Sequence, residues 1–447
     1  MSVASPLLTD LYQLTMAQAY FELGMQESAV FELFVRRLPA SRSFLLAAGL
    51  EQALESIEAL RFGEEHVAFL AQLGLFRRNF LEQLRRVRFS GSVHAMPEGT
   101  PFFAGEPIVR ITGPILEAQL LESRLLNIVH FQTTIASKAA RCVIAARGRQ
   151  LNDFGMRRAH EADAALLAAR AAYLAGFDAT ATVEAGRRFG MPLSGTLAHS
   201  FIEAHDDERQ AFRDFVHSSA GPATLLIDTY DSARGLLRVI ALEKELRRHG
   251  AGQGIRAVRI DSGDLWEQAR SARAVLDAHD CGHIRIVLSG NLDEHSIDRL
   301  VRGGIPADAF GVGTALAVAA DAPALDMVYK LQQYAGKPRR KRSSGKATWP
   351  GIKQVFRERA ANSAYRCDHI AQEDECPAGE PLLIEVMRAG RSLGLPALNS
   401  SRERVRAALH DLPAAVRDLD GAAGAYPVDI SVTLQALAAA LDAAEAP

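Results

Sequence analysis

The chain has 447 residues, 48% hydrophobic and 23% charged, with a formal net charge of −2. That length allows two or three domains with ample core, and the balanced charge gives no support for a nucleic-acid or membrane surface as the main partner. Four cysteines (Cys142, Cys281, Cys367, Cys376) form no CxxC pair and no ligand spacing with histidine, which reads as reduced cytoplasmic thiols rather than disulfides or a zinc site.

The start of the chain carries no basic segment leading into an apolar one, so no secretory signal is expected. Thr9-Asp10 is a plausible cap for a helix over Leu11–Leu23. Phe31–Val35 reads as a strand, Leu45–Leu60 as an amphipathic helix, and Phe102–Ile111 as strand-rich. This mixture predicts an α+β domain over residues 1–115. From about Leu116, Ala/Leu-rich helices alternate with short apolar runs that end in polar or glycine residues. The run ends carry Asp153, Thr196, Asp228, Asp261, Ser289 and Gly311. Their spacing is near the roughly 30 residues of a strand plus a crossover helix. Helices are expected over His160–Ala175, Ala233–His249 and Asp264–His279, and a strand over the apolar run Phe189–Leu193. The pattern predicts an irregular (β/α) barrel over 116–335, with its site at the strand C-termini. Ala162–Phe177 is apolar, but Asp163 and Arg170 break it, so no membrane span is expected. Residues 336–346 hold six Lys/Arg in eleven positions, which suits either a lid over an anionic substrate or a solvated run. A basic loop and return segment over 336–400, packing on the N-terminal domain, and a helical C-terminal tail over 401–447 complete the expected domains.

The strand-end residues favour phosphate or carboxylate chemistry. Arg259 supplies a fork matched to a planar carboxylate or a phosphate. Ser289-Gly290-Asn291 and Gly311-Val312-Gly313-Thr314 supply backbone N–H groups and hydroxyls for phosphates. Asp261 and Asp264 are candidate Mg²⁺ ligands. His199, in the turn Ser194-Gly195-Thr196-Leu197-Ala198-His199-Ser200, suits a base or a covalent nucleophile, or simply a capping histidine. No GxxxxGK[ST] occurs, and no GxGxxG follows a strand, so nucleotide loops of those two kinds are unsupported. The residues alone reach an enzyme of phosphorylated substrates of the sugar-phosphate kind and not a reaction.

At this point the motifs carry a resemblance. The segments LLTDLYQLTMAQAYF (7–21), FELFVRRLP (31–39), NDFGMRRAH (152–160), SGTLAHSF (194–201), RIDSGDL (259–265), LSGNLDE (288–294), FGVGT (310–314) and VYKL (328–331) occur in one collinear order. The chain resembles the nicotinate phosphoribosyltransferase family. The resemblance implies a type II phosphoribosyltransferase-like fold and a homodimer. It also implies transfer of phosphoribosyl from 5-phosphoribosyl 1-diphosphate to nicotinate, coupled to ATP hydrolysis with Mg²⁺, as the entry of nicotinate into NAD synthesis. By motif, Tyr12 is the aromatic that stacks on the pyridine, reaching the partner subunit's site. Thr196 and Arg259 are nicotinate ligands, Thr314 a ligand of the ribose 5-phosphate, and His199 the histidine that ATP phosphorylates. Asp261 is placed with His199 as catalytic. Phe154, Arg157, Ser200, Ser262, Gly263, Ser289, Gly290, Asn291, Gly311 and Gly313 are placed in the binding set. Read without the motifs, Tyr12 is better taken as a core aromatic of its helix and Thr196 as a helix cap. Nicotinamide phosphoribosyltransferase, quinolinate phosphoribosyltransferase and a non-catalytic phosphohistidine sensor are the rival readings. Ser200, where an acidic residue would favour the amide, speaks against the first.

Overall fold

A computed structural model describes residues 5–248, 254–421 and 426–444. Two compact units divide the chain, one formed by residues 1–137 with 322–447 and the other by Lys138–Asp321. The division falls at 137/138 and 321/322, and the segment 336–400 belongs with the N-terminal unit as expected. The helix Glu122–Ala146 runs across the first division, and the C-terminal segment returns to the N-terminal unit because its strands complete that unit's sheets.

The second unit is built on six parallel strands: β1 (Gln150–Asp153), β2 (Ala179–Thr180), β3 (Ala223–Leu226), β4 (Ile255–Ile260), β5 (Arg285–Leu288) and β6 (Ala309–Val312). Their order is β2-β1-β6-β5-β4-β3. Because β6 pairs in parallel with β1, the last strand returns to the first, and the barrel stays open between β2 and β3. β3 and β6 are buried throughout and mainly apolar, and β5 is mainly apolar after its first residue, as parallel strands covered on both faces require; β1 carries Asn152 and Asp153, and β4 carries Arg256 and Arg259. Helices Ala162–Ala175, Ser232–Arg248, Leu265–Ala278 and Glu294–Arg302 follow strands or strand-end loops. The first three match the expected helices within two residues, and Glu294–Arg302 is a fourth that the sequence pattern does not single out; His249 itself lies outside the described residues. The run Phe189–Leu193 is not a strand. Phe189 ends the helix Val183–Phe189, Gly190 turns left-handed at φ +65°, and only Leu193 makes a bridge, to Thr180.

Buried charge ties the helices of this unit together. Lys138 and Arg141, both nearly inaccessible, pair with the fully buried Glu294, and Lys138 also lies 3.0 Å from Asp321. Glu294 follows the cap residue Asp293, whose side chain accepts from Ser296 N. The helix that begins just after the β5 loop is thereby anchored at its start.

The first unit carries a seven-stranded antiparallel sheet centred on Ser28–Val35 and Pro107–Pro114, and a separate four-stranded sheet. Phe31 stacks on Tyr329 with ring centroids 4.8 Å apart in the larger sheet's core. Leu45–Leu60 does not form one helix. Leu45–Leu46 pair with Pro101–Phe102, and a helix covers only Leu50–Glu58. The break comes from Glu98, a buried carboxylate that accepts from the amides of Gly49 (2.6 Å) and Leu50 (3.1 Å) and so fixes the helix start there. Likewise the expected continuous helical tail is Leu398–Asp411, Ala414–Arg417 and Val432–Ala444, with Val428–Ile430 added as a strand; Pro413 and Pro427 mark the interruptions. Its last three residues lie outside those described. No helix among the described residues is long and apolar enough to cross a membrane.

Removing Glu294 takes a carboxylate partner from two buried cations. Glu294→Ala should cost about 3–5 kcal/mol in the barrel unit. Hydrogen exchange of the amides in Glu294–Arg302 should then speed up by at least tenfold; unchanged protection there would show that the ion cluster is not what anchors the helix.

Candidate functional site

The C-terminal ends of β4 and β5 organise the site. Arg259 is the penultimate residue of β4, and its side chain is held at three points. Nε donates to Ser289 Oγ at 2.7 Å, one terminal nitrogen to Thr196 Oγ1 at 3.0 Å, and the other to Asp261 Oδ1 at 2.6 Å. Ser289 Oγ donates to the same Asp261 oxygen at 2.5 Å. Guanidinium has five N–H donors, so each terminal nitrogen keeps one N–H for a ligand. The guanidinium carbon lies 5.2 Å from the centroid of the Phe154 ring, within cation–π range. Only 12% of the Arg259 side chain is exposed, so both the pairing and the stacking act in a partly dry environment.

The supporting groups come from neighbouring strand ends. Asp153, at the end of β1, accepts from Gly155 N at 2.8 Å and from Thr180 Oγ1 at 2.7 Å, fixing the turn that presents Phe154. Burial raises the Asp153 pKa, against these two hydrogen bonds. Asp261 shifts the other way. Burial raises it, but the Ser289 hydroxyl, the Arg259 charge and hydrogen bond, and the His199 charge together hold it below the ordinary carboxylate value. Asp228, just beyond β3, accepts from Asp261 N at 2.9 Å and Ser262 Oγ at 2.6 Å, which fixes the loop after β4. Its other oxygen is buried with no hydrogen-bond partner.

Two glycines are there for close approach. A Cβ on Gly311 would fall 2.4 Å from the Phe154 ring, and one on Gly290 would fall 2.1 Å from Asp261 O at a φ of +98°. Neither position admits another residue without moving the residues that hold Arg259. A cavity of about 170 Å³ runs inside the barrel beneath them, lined in part by Asn152, Phe154, Leu193, Ser194 and Thr196.

The structure therefore gathers Phe154, Thr196, Arg259, Asp261, Ser289, Gly290 and Gly311 at one place. Thr196 is not a helix cap, because Ala198 precedes the helix His199–Glu203 and Thr196 turns its hydroxyl to Arg259. His199 Nδ1 lies 3.1 Å from Thr229 Oγ1, which leaves Nε2 without a hydrogen-bond partner among the described residues. Ser262 and Gly263 sit in the loop braced by Gln268, whose Nε2 donates to Ser262 O at 2.7 Å. Arg157, Ser200, Asn291 and Thr314 are exposed, and Gly313 is half-buried beside the Phe154 backbone; no side-chain hydrogen bond joins these five to the Arg259 cluster. Tyr12 belongs to the other unit, on the helix Leu11–Glu22, and is 46% exposed rather than a core aromatic. In the sequence pattern Asp228 is only a strand marker, and neither Thr180 nor Thr229 stands out as a site residue. Their positions at strand ends were the available signal.

For Mg²⁺ the fit is partial. Asp261 spends Oδ1 on Arg259 and Ser289, and Asp264 spends Oδ1 capping Leu265–Ala278 through Trp266 N and Glu267 N. The Oδ2 atoms of both have no hydrogen-bond partner among the described residues and suit a hard cation. The basic segment is not a free lid throughout. Arg340 and Arg342 pair with Asp442 at 3.1 and 3.0 Å, and Lys337–Pro338 pairs with Gln333–Tyr334.

Comparison with known proteins places this geometry in a family. The nicotinate phosphoribosyltransferase (NAPRTase) N-terminal domain matches residues 7–130, and the nicotinate phosphoribosyltransferase (NAPRTase) family matches 149–345. Nicotinate phosphoribosyltransferase pncB2 of Mycobacterium tuberculosis is 47% identical over 428 residues, covering 95% of this chain and 91% of that protein. The Bacillus subtilis nicotinate phosphoribosyltransferase is 42% identical over 376 residues, covering 82% of this chain and 76% of that one. The crystal structure of human nicotinic acid phosphoribosyltransferase aligns with a TM-score of 0.86 at 31% identity, over 97% of this chain and 99% of that one. With the family matched along more than half the chain and this degree of identity over nearly all of it, the protein belongs to the nicotinate phosphoribosyltransferase family.

Proposed function

We propose that the protein transfers phosphoribosyl from 5-phosphoribosyl 1-diphosphate to nicotinate, giving nicotinate mononucleotide and diphosphate, with ATP hydrolysis coupled to the step. The reaction is the first in NAD synthesis from nicotinate. The observation that carries this reading is the Arg259 fork, with one unused N–H on each terminal nitrogen beside an aromatic ring. A pyridine carboxylate offers the planar anion such a fork pairs with, and an aromatic ring that packs on Phe154.

The residues' chemistry follows. Arg259 orients the pyridine through its carboxylate, so that the ring nitrogen, not the carboxylate, faces the sugar. Attack of that nitrogen on the anomeric carbon breaks the bond to diphosphate and spreads positive charge over the ribose ring. Such a step requires placement and charge stabilisation more than a strong acid or base. Asp261, held ionised by its neighbours, supplies a fixed negative charge beside that centre. The loops carrying Ser289-Gly290-Asn291 and Gly311-Val312-Gly313-Thr314 offer backbone amides and hydroxyls for the phosphates. Mg²⁺, when bound, would neutralise the diphosphate, with Asp261 and Asp264 as its protein ligands. Thr229 orients the His199 ring so that Nε2 is open to the γ-phosphorus of ATP. Attack there forms phosphohistidine and releases ADP, and water later returns phosphate. The exposed Tyr12 fits a role at a site completed by a second copy in a homodimer.

Nicotinate should exceed nicotinamide in kcat/KM by about 100- to 30,000-fold. Two charge-assisted hydrogen bonds at about 1.5–3 kcal/mol each set that range. Equal values for the two pyridines would overturn the assignment of Arg259 and favour the amide-using relative.

Incubation with γ-labelled ATP should put acid-labile, base-stable label on the wild type and none on His199→Ala. The variant should retain slow transfer that no longer responds to ATP. Label on both proteins, or on neither while coupled hydrolysis persists in the wild type, would refute a covalent role for His199.

Mixing Tyr12→Ala with Arg259→Ala protein should restore part of the activity, since one of the two sites in a mixed dimer would carry both native residues. Native-gel proof of mixed dimers with no recovered activity would show that the site is not shared.

A further inference from the structure

A second cluster of reactive side chains lies in the N-terminal unit, on the four-stranded sheet. Its strands include β7 (Lys353–Arg359), β8 (Tyr365–Gln372) and β9 (Val428–Ile430). Glu358 on β7 stands opposite Cys367 on β8, and His369 follows two residues later. Alternate residues of a strand share a face, so Cys367 and His369 project together beside Glu358. This corrects the expectation that no cysteine is in ligand spacing with histidine. A spacing of two residues serves on a strand, where a helix or knuckle would need another.

The three ligand atoms form a nearly equilateral triangle. Cys367 Sγ is 3.4 Å from Glu358 Oε2 and 3.3 Å from His369 Nε2, and that nitrogen is 3.5 Å from Glu358 Oε2. A tetrahedral zinc ion with bonds of about 2.0–2.3 Å separates its ligands by about 3.3–3.7 Å. The remaining groups are arranged as an outer shell. Arg366 donates to Glu358 Oε1 at 2.8 Å, which leaves Oε2 as the inward oxygen. Asp429 on β9 sits across from His369, with Oδ2 3.9 Å from Nδ1 on the far side of the ring. Metal-bound histidines are commonly backed by such a carboxylate. Among the described residues, Glu358, Cys367 and His369 form the one group of three that could hold an ion in this way.

We propose that Glu358 Oε2, Cys367 Sγ and His369 Nε2 bind one divalent transition-metal ion of the zinc class. A thiolate and an imidazole select zinc or cobalt over magnesium or calcium, so this site is separate in chemistry from any Mg²⁺ serving the reaction. Binding exchanges the Cys367 S–H bond for a sulfur–metal bond, and the proton goes to solvent. The ion ties β7 to β8 near the turn that joins them, where the ladder is already irregular between Glu358 and Arg359. A fourth position stays open to water.

The test uses the full chain carrying Cys376→Ala, which removes the exposed competing thiol. After treatment with chelator, titration with Co²⁺ should show one equivalent per chain, with thiolate-to-cobalt charge-transfer absorption and the visible bands of tetrahedral cobalt. Zn²⁺ should displace it. Cys367→Ser should abolish the charge-transfer band and, like His369→Gln, weaken zinc binding about 100-fold or more; Asp429→Asn should weaken it about tenfold. Zn²⁺ should raise the melting temperature of the parent and not of His369→Gln, and matching melts in chelator would show that the variant is folded. Absence of the thiolate band at saturating Co²⁺, or unchanged zinc affinity in both Cys367→Ser and His369→Gln, would overturn the proposal.

Discussion

The site depends on the constraint placed on Arg259. A free arginine side chain has many rotamers, and a guanidinium left unpaired in a half-dry barrel mouth is costly. Ser289, Thr196 and Asp261 remove both problems. The same three contacts decide where the remaining two N–H groups point. Asp261 contributes a charge that partly neutralises the arginine. The result is a preorganised fork whose field is moderated by a neighbouring carboxylate.

Around that fork the barrel supplies rigidity in layers. Strand pairing aligns Leu288 with Ile260 and Phe310 with Leu288, so the loops leaving β4, β5 and β6 emerge side by side. Asp228 and Asp153, each at the end of a strand, hold the next turn by accepting backbone N–H groups. Both carboxylates therefore act on the site through backbone geometry. Beneath them, the Lys138, Arg141 and Glu294 cluster holds the helix that follows the β5 loop. Buried pairs of this kind are costly to break and add little net stability compared with a well-packed apolar alternative.

The four-stranded sheet of the N-terminal unit shows the same use of strand periodicity for a different chemistry. Cys367 and His369 meet because they are two apart on β8, and Glu358 joins them because register places it opposite. Just beside them the buried Arg357 is gripped by Asp368, with Tyr426 donating to the same carboxylate at 2.9 Å. Successive residues of one strand thus serve opposite faces: the odd positions of 367–369 carry the thiol and imidazole, and Asp368 carries the core ion pair.

Much of this was legible in the amino-acid sequence. Apolar runs bounded by Asp, Ser and Gly at intervals near 30 residues mark the parallel strands, because short buried strands and capped crossover helices leave that pattern locally. The collinear motifs carried Arg259, Asp261, Ser289 and Thr196 to the site, and all four meet there. What the sequence could not decide required contacts between distant segments. The helix expected from Leu45 begins only at Leu50, because Glu98, some fifty residues away, caps it. Phe189–Leu193 looks like a strand by hydropathy, yet its glycine turn leaves only Leu193 at the seam of the open barrel. Asp264 looked like a ligand, and only the fold reveals that one of its oxygens caps a helix. Asp228 looked like a marker, and only the fold gives it the loop to hold. Local order follows from propensity and period, which are written along the chain; which carboxylate meets which amide depends on strand register and loop closure, and those are decided only when the tertiary structure forms.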